Sequence, residues 1–332
     1  MVQALPVLRL IKKHLPSSEI YWWIELRLAP LLKGDPDLAG LVLFDRRRWA
    51  KPQNWREVLR SVRWMRQQQF DWVIDLQGLI RSGAFAWLAN GGLTVGLDEP
   101  REGARGLYDF AARRSSFHTH AVDWYLEVLR FLNVPIHWNF TWLPERPQVA
   151  AAIRANGAGR ARRWMIIQPG ARWPNKRWPA EHFAALVGRL VATDSELHCA
   201  ILGGPEDRPI GETIARIAPT RCLDLTSKLS LPEMVEWIRL GEAMVTNDTG
   251  PMHVAAALGK PVVALFGPTE PRRTGPYGQI QRSLQFNLPC VPCMKSYCTY
   301  AKPIECLRAI TPASVFEALQ NRIGVVGKFG TD

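Results

Sequence analysis

Between residues 164 and 267, short apolar runs alternate with amphipathic stretches. That alternation constrains the fold more than any other feature of the chain. WMIIQ (164–168), LHCAILGG (197–204), CLDL (222–225), AMVTN (243–247) and VVALFG (262–267) have the length and apolar continuity of buried strands. PAEHFAALVGRLV (179–191), DRPIGETIARIA (207–218), LPEMVEWIRLGE (231–242) and PMHVAAAL (251–258) lie between them with helical spacing. Strands that alternate with helices in this way predict a parallel sheet covered on both faces.

The first half follows the same pattern less cleanly. EIYWWI (19–24), LVLF (41–44), WVIDL (72–76) and TVGL (94–97) read as strands. Helices are expected over VQALPVLRLIKKHL (2–15), residues 54–69, 79–88 and 120–134. Asn54 and Glu57 have the spacing of a capping box, and Trp55, Leu59, Val62 and Met65 (or Trp64) line one face of the helix that follows. The stretch PIHWNFTWLPERPQVAAA (135–152) has several prolines and no settled period, so a domain boundary is placed there. With 332 residues there is room for two domains, read as 1–148 and 149–332. The chain opens on a helix, although a doubly wound sheet normally opens on a central strand.

Three loops at strand ends carry chemistry. In TNDTGPMHVAAALGKP (246–261) a strand ends in Asn-Asp-Thr-Gly and a short helix begins near Pro251. A helix start offers free N–H groups and the positive end of its dipole to an anion. Gly250 leaves the backbone approachable, Thr249 supplies a hydroxyl, and His253 lies one turn in. The alternative is that Asp248 or Thr249 only caps the helix and that His253 is a satisfied histidine. QPGARWPNKRWPAEHF (168–183) repeats the layout, with Lys176 and Arg177 placed to neutralise an anion. LGGPEDR (202–208) follows a third strand, and Glu206 there suits a ribose or base. Three such loops in one half point to a nucleotide site in that half.

These residues resemble the heptosyltransferases, a glycosyltransferase family of GT-B architecture. The resemblance rests on NDTGPMHVAAALGKP followed by VVALFGPTEP (262–271), and extends to GPYG (275–278), GGPEDR, KRWP (176–179) and VIDLQGLIRSG (73–83). It implies an α/β protein of two Rossmann-like, doubly wound domains facing a central cleft, the first for the acceptor and the second for the nucleotide sugar. It implies inverting, metal-independent transfer of heptose from ADP-heptose to the inner core of lipopolysaccharide, an anionic lipid-linked oligosaccharide, with no cofactor beyond the co-substrate. Lys176 would then lie against the diphosphate and stabilise the leaving group. Thr249, Gly250 and His253 would hold the same phosphates, Asp248 would contact the donor, and Glu206 the nucleoside. Arg81, with Gln77, would face the acceptor. The family's general base is an aspartate in a Gly-Asp turn after a first strand. Met1-Val2-Gln3-Ala4-Leu5-Pro6 stands where that turn would have ended, so the base is expected upstream of Met1, with Asp75 a candidate by position alone.

Composition bounds the partners. The chain carries 42 Lys and Arg against 30 Asp and Glu, a net charge of +12, which suits an anionic partner. No apolar run approaches the roughly 20 residues of a membrane span, and no secretory signal is legible at the N-terminus. The expected location is cytoplasmic, with peripheral contact at the inner membrane. The 14 tryptophans read mainly as core and as cation–π partners of neighbouring arginines, with Trp22 and Trp23 kept open as interfacial residues. A nucleic-acid reading of RRRWAKPQNWREVLRSVRWMR competes with a helix bearing a solvated basic face, and the latter is preferred. The other readings are a GT-B protein that binds nucleotide sugar without turnover, and a transferase for a different nucleotide sugar. Cys290, Cys293, Cys298 and Cys306, spaced C-x2-C-x4-C-x7-C, form a set that zinc or iron–sulfur would fit; a reduced loop near the acceptor cleft, or an occasional disulfide, is preferred to metal. Cys199 reads as core.

Overall fold

A computed structural model describes residues 1–99 and 102–323. The chain separates into two compact units, Met1–Pro144 and Glu145–Asp332. No helix among the described residues is long and apolar enough to cross a membrane.

The first unit runs α1 (Leu5–His14), β1 (Tyr21–Glu25), β2 (Gly40–Phe44), α2 (Arg46–Trp49), α3 (Trp55–Gln67), β3 (Trp72–Ile74), α4 (Ile80–Ala89), β4 (Leu93–Leu97), β5 (Phe110–Ala112) and α5 (Ala121–Phe131). β1 and β2 form one parallel pair, and β3, β4 and β5 a separate parallel sheet. The helix expected at the N-terminus is present and buried from Leu5 to Ile11. Even its Arg9 is buried, held by Asp35 at 2.6 and 2.5 Å and by Asp37 at 2.7 Å. A guanidinium is tolerated inside a protein only with this kind of fork-like pairing.

One expectation for α3 fails. The capping box does not form, because the Asn54 side chain donates to the Arg48 carbonyl at 2.8 Å and makes no cap bond. Glu57 instead accepts from the Arg48 guanidinium. Of the apolar face, only Met65 is buried, while Trp55 and Leu59 are 62% and 67% exposed. β5 escaped the sequence because three residues are too few to show a period.

The second unit opens with α6 (Pro147–Ala155), which covers the end of the stretch read as irregular. It continues β6 (Arg163–Gln168), α7 (Ala180–Thr193), β7 (Leu197–Ile201), α8 (Arg208–Ala215), β8 (Cys222–Asp224), α9 (Leu231–Leu240), β9 (Ala243–Asn247), α10 (Gly250–Ala257), β10 (Val262–Phe266), α11 (Pro271–Thr274), β11 (Ser283–Gln285), α12 (Glu305–Arg308) and α13 (Pro312–Ile323). The strands form one parallel sheet in the order β11-β10-β9-β6-β7-β8. β9 and β10 are buried along their whole length, as continuous apolar runs in a two-sided sheet must be. Phe183, Leu186, Val187 and Leu190 of α7 pack on Met165, Ile167 and Leu197 beneath them.

Chain order along this sheet reverses between β6 and β9. The chain moves from β6 outward to β7 and β8, then returns to the other side of β6. The loops leaving β6 and β9 therefore depart in opposite directions, and a crevice opens at the carboxyl ends of those two strands.

Candidate active site

Three loops of the second unit converge at that crevice. Asn247, the last residue of β9, is fully buried and stitches two of them together. Its Oδ1 accepts the Trp178 N–H at 3.0 Å and its Nδ2 donates to the Pro169 carbonyl at 2.7 Å. The loop after β6 is thereby fixed against the start of the loop after β9.

Asp248 follows and is 8% exposed. Its Oδ2 accepts from Lys176 Nζ at 2.5 Å and from Thr269 Oγ1 at 2.6 Å. No described residue donates a hydrogen bond to its Oδ1. Lys176 ends a short turn, Pro174–Lys176, and its ammonium also lies 4.6 Å from the centre of the Trp173 ring. Thr269 comes from the loop after β10, whose backbone is pinned where Gln285 Nε2 donates to the carbonyls of Thr269 (2.7 Å) and Gly267 (3.1 Å). Asn175, beside Lys176, donates to the Lys295 carbonyl at 3.0 Å.

α10 begins at this cluster. Thr249 is its N-cap residue in extended conformation, with no side-chain cap bond, and Asp248 is engaged elsewhere. Neither residue caps the helix. A side chain at Gly250 would meet nothing within 4 Å. Pro251 fills the first turn without an N–H of its own, and His253 is half-buried there. The positive helix end therefore opens beside the Lys176 ammonium, and the Asp248 carboxylate balances that cation.

The structure thus brings Lys176, Asp248, Thr249, Gly250 and His253 together. Glu206 is apart from them: its side chain is 89% exposed on the loop after β7 and, among the described residues, pairs with Arg177 alone, at 3.9 Å. Arg177 donates to the Ala171 carbonyl at 2.8 Å and lies 3.5 Å from Asp207, so it braces the loop rather than standing free for an anion. The bracing is tight, since a Cβ on Gly170 would sit 2.1 Å from the Asp207 carboxylate. Thr269 and Asn247 were not identified from the sequence as site residues. The G-P-T after the strand was visible, but only the fold places its threonine on Asp248.

Gln77 and Arg81 are exposed in the first unit, in the turn before α4 and in its first turn. Asp75 is committed to holding that turn. Its Oδ2 accepts from Ser82 Oγ and Tyr108 Oη, both at 2.7 Å, and its Oδ1 from the N–H groups of Gln77 (2.8 Å) and Gly78 (3.4 Å). A carboxylate with four donors has no free lone pair for an acceptor proton, which removes Asp75 as a base. Burial, with Asp75 beside it, pushes the Tyr108 hydroxyl well above its ordinary range, so it remains a donor.

Cys290 and Cys293 are half-buried, Cys298 exposed and Cys306 buried, all as free thiols. No group of three or more His, Cys, Asp or Glu among the described residues is arranged to hold a metal ion. Burial, then the neighbouring cysteines, push the Cys306 thiol up to about 11. Cys199 is core, fully buried beside Cys222 on the adjacent strand.

A doubly wound sheet with a lysine and an uncapped helix start at its switch point is the architecture of a nucleotide-binding α/β enzyme. The chain belongs to glycosyltransferase family 9 (heptosyltransferase), whose model matches residues 58–304. It is 30% identical over 313 residues to lipopolysaccharide heptosyltransferase 1 of Pseudomonas aeruginosa, across 90% of this chain and 84% of that one. The solved E. coli ADP-heptose lps heptosyltransferase II is similar at a TM-score of 0.75 and 24% identity, covering 96% of this chain and 94% of that one. An E. coli heptosyltransferase solved with ADP-2-deoxy-2-fluoro heptose is similar at a TM-score of 0.69 and 22% identity, over 97% and 95%. The fold is GT-B, and the protein is a glycosyltransferase.

Proposed function

We propose that this glycosyltransferase moves heptose from ADP-heptose to the inner core of lipopolysaccharide, with inversion and without a metal ion. The observation that carries the reading is the Lys176 ammonium held on Asp248 at the uncapped start of α10. Similarity to lipopolysaccharide heptosyltransferases supports the choice of sugar and acceptor.

Departure of ADP places new negative charge on its terminal phosphate. Lys176, His253, the Thr249 hydroxyl and the N–H groups around Gly250 meet that charge and stabilise it. These groups do the work that a divalent cation does elsewhere. Entry of the diphosphate draws the ammonium of Lys176 from Asp248 toward phosphate oxygen. Thr269 then keeps Oδ2 of Asp248 satisfied, and Oδ1 accepts from a hydroxyl of the donor sugar. Glu206 meets the nucleoside, and Arg81 with Gln77 the anionic acceptor. The acceptor hydroxyl attacks the anomeric carbon from the face opposite the departing ADP as the bond from that carbon to the ADP oxygen breaks, which inverts the centre, and the hydroxyl proton passes to a general base on the acceptor side. The enzyme needs no cofactor beyond its co-substrate, and it works as a peripheral protein at the cytoplasmic face of the inner membrane.

The test is ADP release from ADP-heptose with a deep-rough lipopolysaccharide acceptor. Release is expected to require the acceptor, to persist in EDTA, and to give a product with inverted anomeric configuration by NMR. Acceptor-independent release, abolition by EDTA or preference for another nucleotide sugar would overturn the assignment.

A further inference from the structure

The first unit holds an apolar groove of about 270 Å³. Trp23, Phe44, Trp49 and Phe85 form its floor, with Trp23 stacked on Phe44 at 4.1 Å and 4.8 Å from Phe85. Trp55 and Leu59 stand on its rim, 62% and 67% exposed. They sit four residues apart on α3, so they share one face of the helix. Both are large apolar side chains that the fold leaves in water, beside a groove that is itself aromatic.

The surroundings are cationic. Residues 46–66 contain Arg46, Arg47, Arg48, Lys51, Arg56, Arg60, Arg63 and Arg66 against the single acid Glu57, so eight charges less one give +7 of the chain's +12. The turn 46–51 divides its side chains between two hollows. Arg46, Trp49 and Ala50 line the apolar groove, and Arg47, Arg48 and Lys51 line a separate hollow of about 410 Å³. On α3, Arg56, Arg60 and Arg63 are exposed and flank the Trp55–Leu59 row at 100° per residue. Apolar and cationic residues in adjacent stripes on one helix, too short to span a bilayer, are the pattern of a segment that lies in a lipid interface.

We infer that this face docks on an anionic phospholipid bilayer, with Trp55 and Leu59 entering the headgroup–acyl boundary and the flanking arginines meeting lipid phosphates. Duplex nucleic acid would use the cations but gains nothing from an exposed Leu59. A bilayer uses both. The inference extends the reading of a lipid-linked acceptor by naming the surface that reaches it, yet it stands on exposure and charge alone.

The test is flotation of the full chain with vesicles that contain neither donor nor acceptor, so its outcome is separate from that of sugar transfer. The protein is expected to float with phosphatidylethanolamine–phosphatidylglycerol vesicles, to remain behind with phosphatidylcholine, and to detach as salt is raised. W55S/L59S should reduce partitioning by about tenfold or more, the order expected for withdrawing two large side chains from an interface. R56Q/R60Q/R63Q should abolish the preference for anionic lipid. Unchanged thermal unfolding in both variants would show that the fold is intact, as their exposure predicts. The inference is overturned if the wild-type chain ignores anionic vesicles, if both variants partition like wild type, if binding appears only when vesicles carry the lipid-linked acceptor, or if the chain prefers duplex DNA.

Discussion

Asp248 carries a negative charge beside a helix end suited to anions, and its neighbours show how that is tolerated. Lys176 and Thr269 both donate to Oδ2, which neutralises the carboxylate and fixes its rotation. D248N removes the charge that competes with phosphate for Lys176. ADP affinity should therefore hold or tighten a few-fold by calorimetry, while heptose transfer falls by about a hundredfold or more, the range for losing a charged substrate contact. T269V removes one donor at nearly constant shape. It should leave ADP affinity unchanged, raise KM for ADP-heptose and lower kcat, with T269S restoring both. A T269S protein no better than T269V would mean that packing matters and the hydroxyl does not. Lys176 and Asp248 were each readable as candidate site residues, but their pairing was not. They lie 72 positions apart, and no local pattern encodes that distance.

At the scale of elements, legibility follows burial. β6, β7, β9 and β10 are recognisable because each is an apolar run buried along most or all of its length, and the sequence must advertise that. β9 matches its expected span of 243–247. α3 is the opposite case. Its helical period is real, yet Trp55 and Leu59 face outward, because periodicity reports that residues share a face and not whether a partner covers it. The turn after β3 shows a third kind of information. Gly96 must lack a side chain, since a Cβ there would lie 2.4 Å from the Tyr108 ring that reaches across to Asp75. The Tyr108 hydroxyl titrates higher in the folded protein than in the unfolded chain. A raised pKa means that its stabilising contribution is complete below the unfolded value of about 10 and is lost as pH climbs beyond it. Urea unfolding should therefore show a steeper alkaline loss of stability in wild type than in Y108F, with the two curves parallel near neutrality. Equal alkaline slopes would contradict the Asp75–Tyr108 bond.

Over the whole molecule, charge and chemistry are distributed unequally. Seven of the twelve net positive charges fall within residues 46–66, while the nucleotide-suited loops all belong to the second unit. The overall charge was legible as a preference for anions, but composition does not say which surface holds it. The motif of 246–261 was legible as a strand and a helix start, and the fold adds that the start is uncapped and adjoins a lysine. The proposed grip on the diphosphate depends on that adjacency. Isothermal titration of ADP into wild-type protein and K176A tests it most directly. Losing one charge-assisted hydrogen bond, with Asp248 left unneutralised beside the phosphates, should weaken binding by about ten- to a hundredfold while thermal unfolding of the free protein shows the fold retained. An ADP affinity in K176A equal to that of wild type would contradict the account.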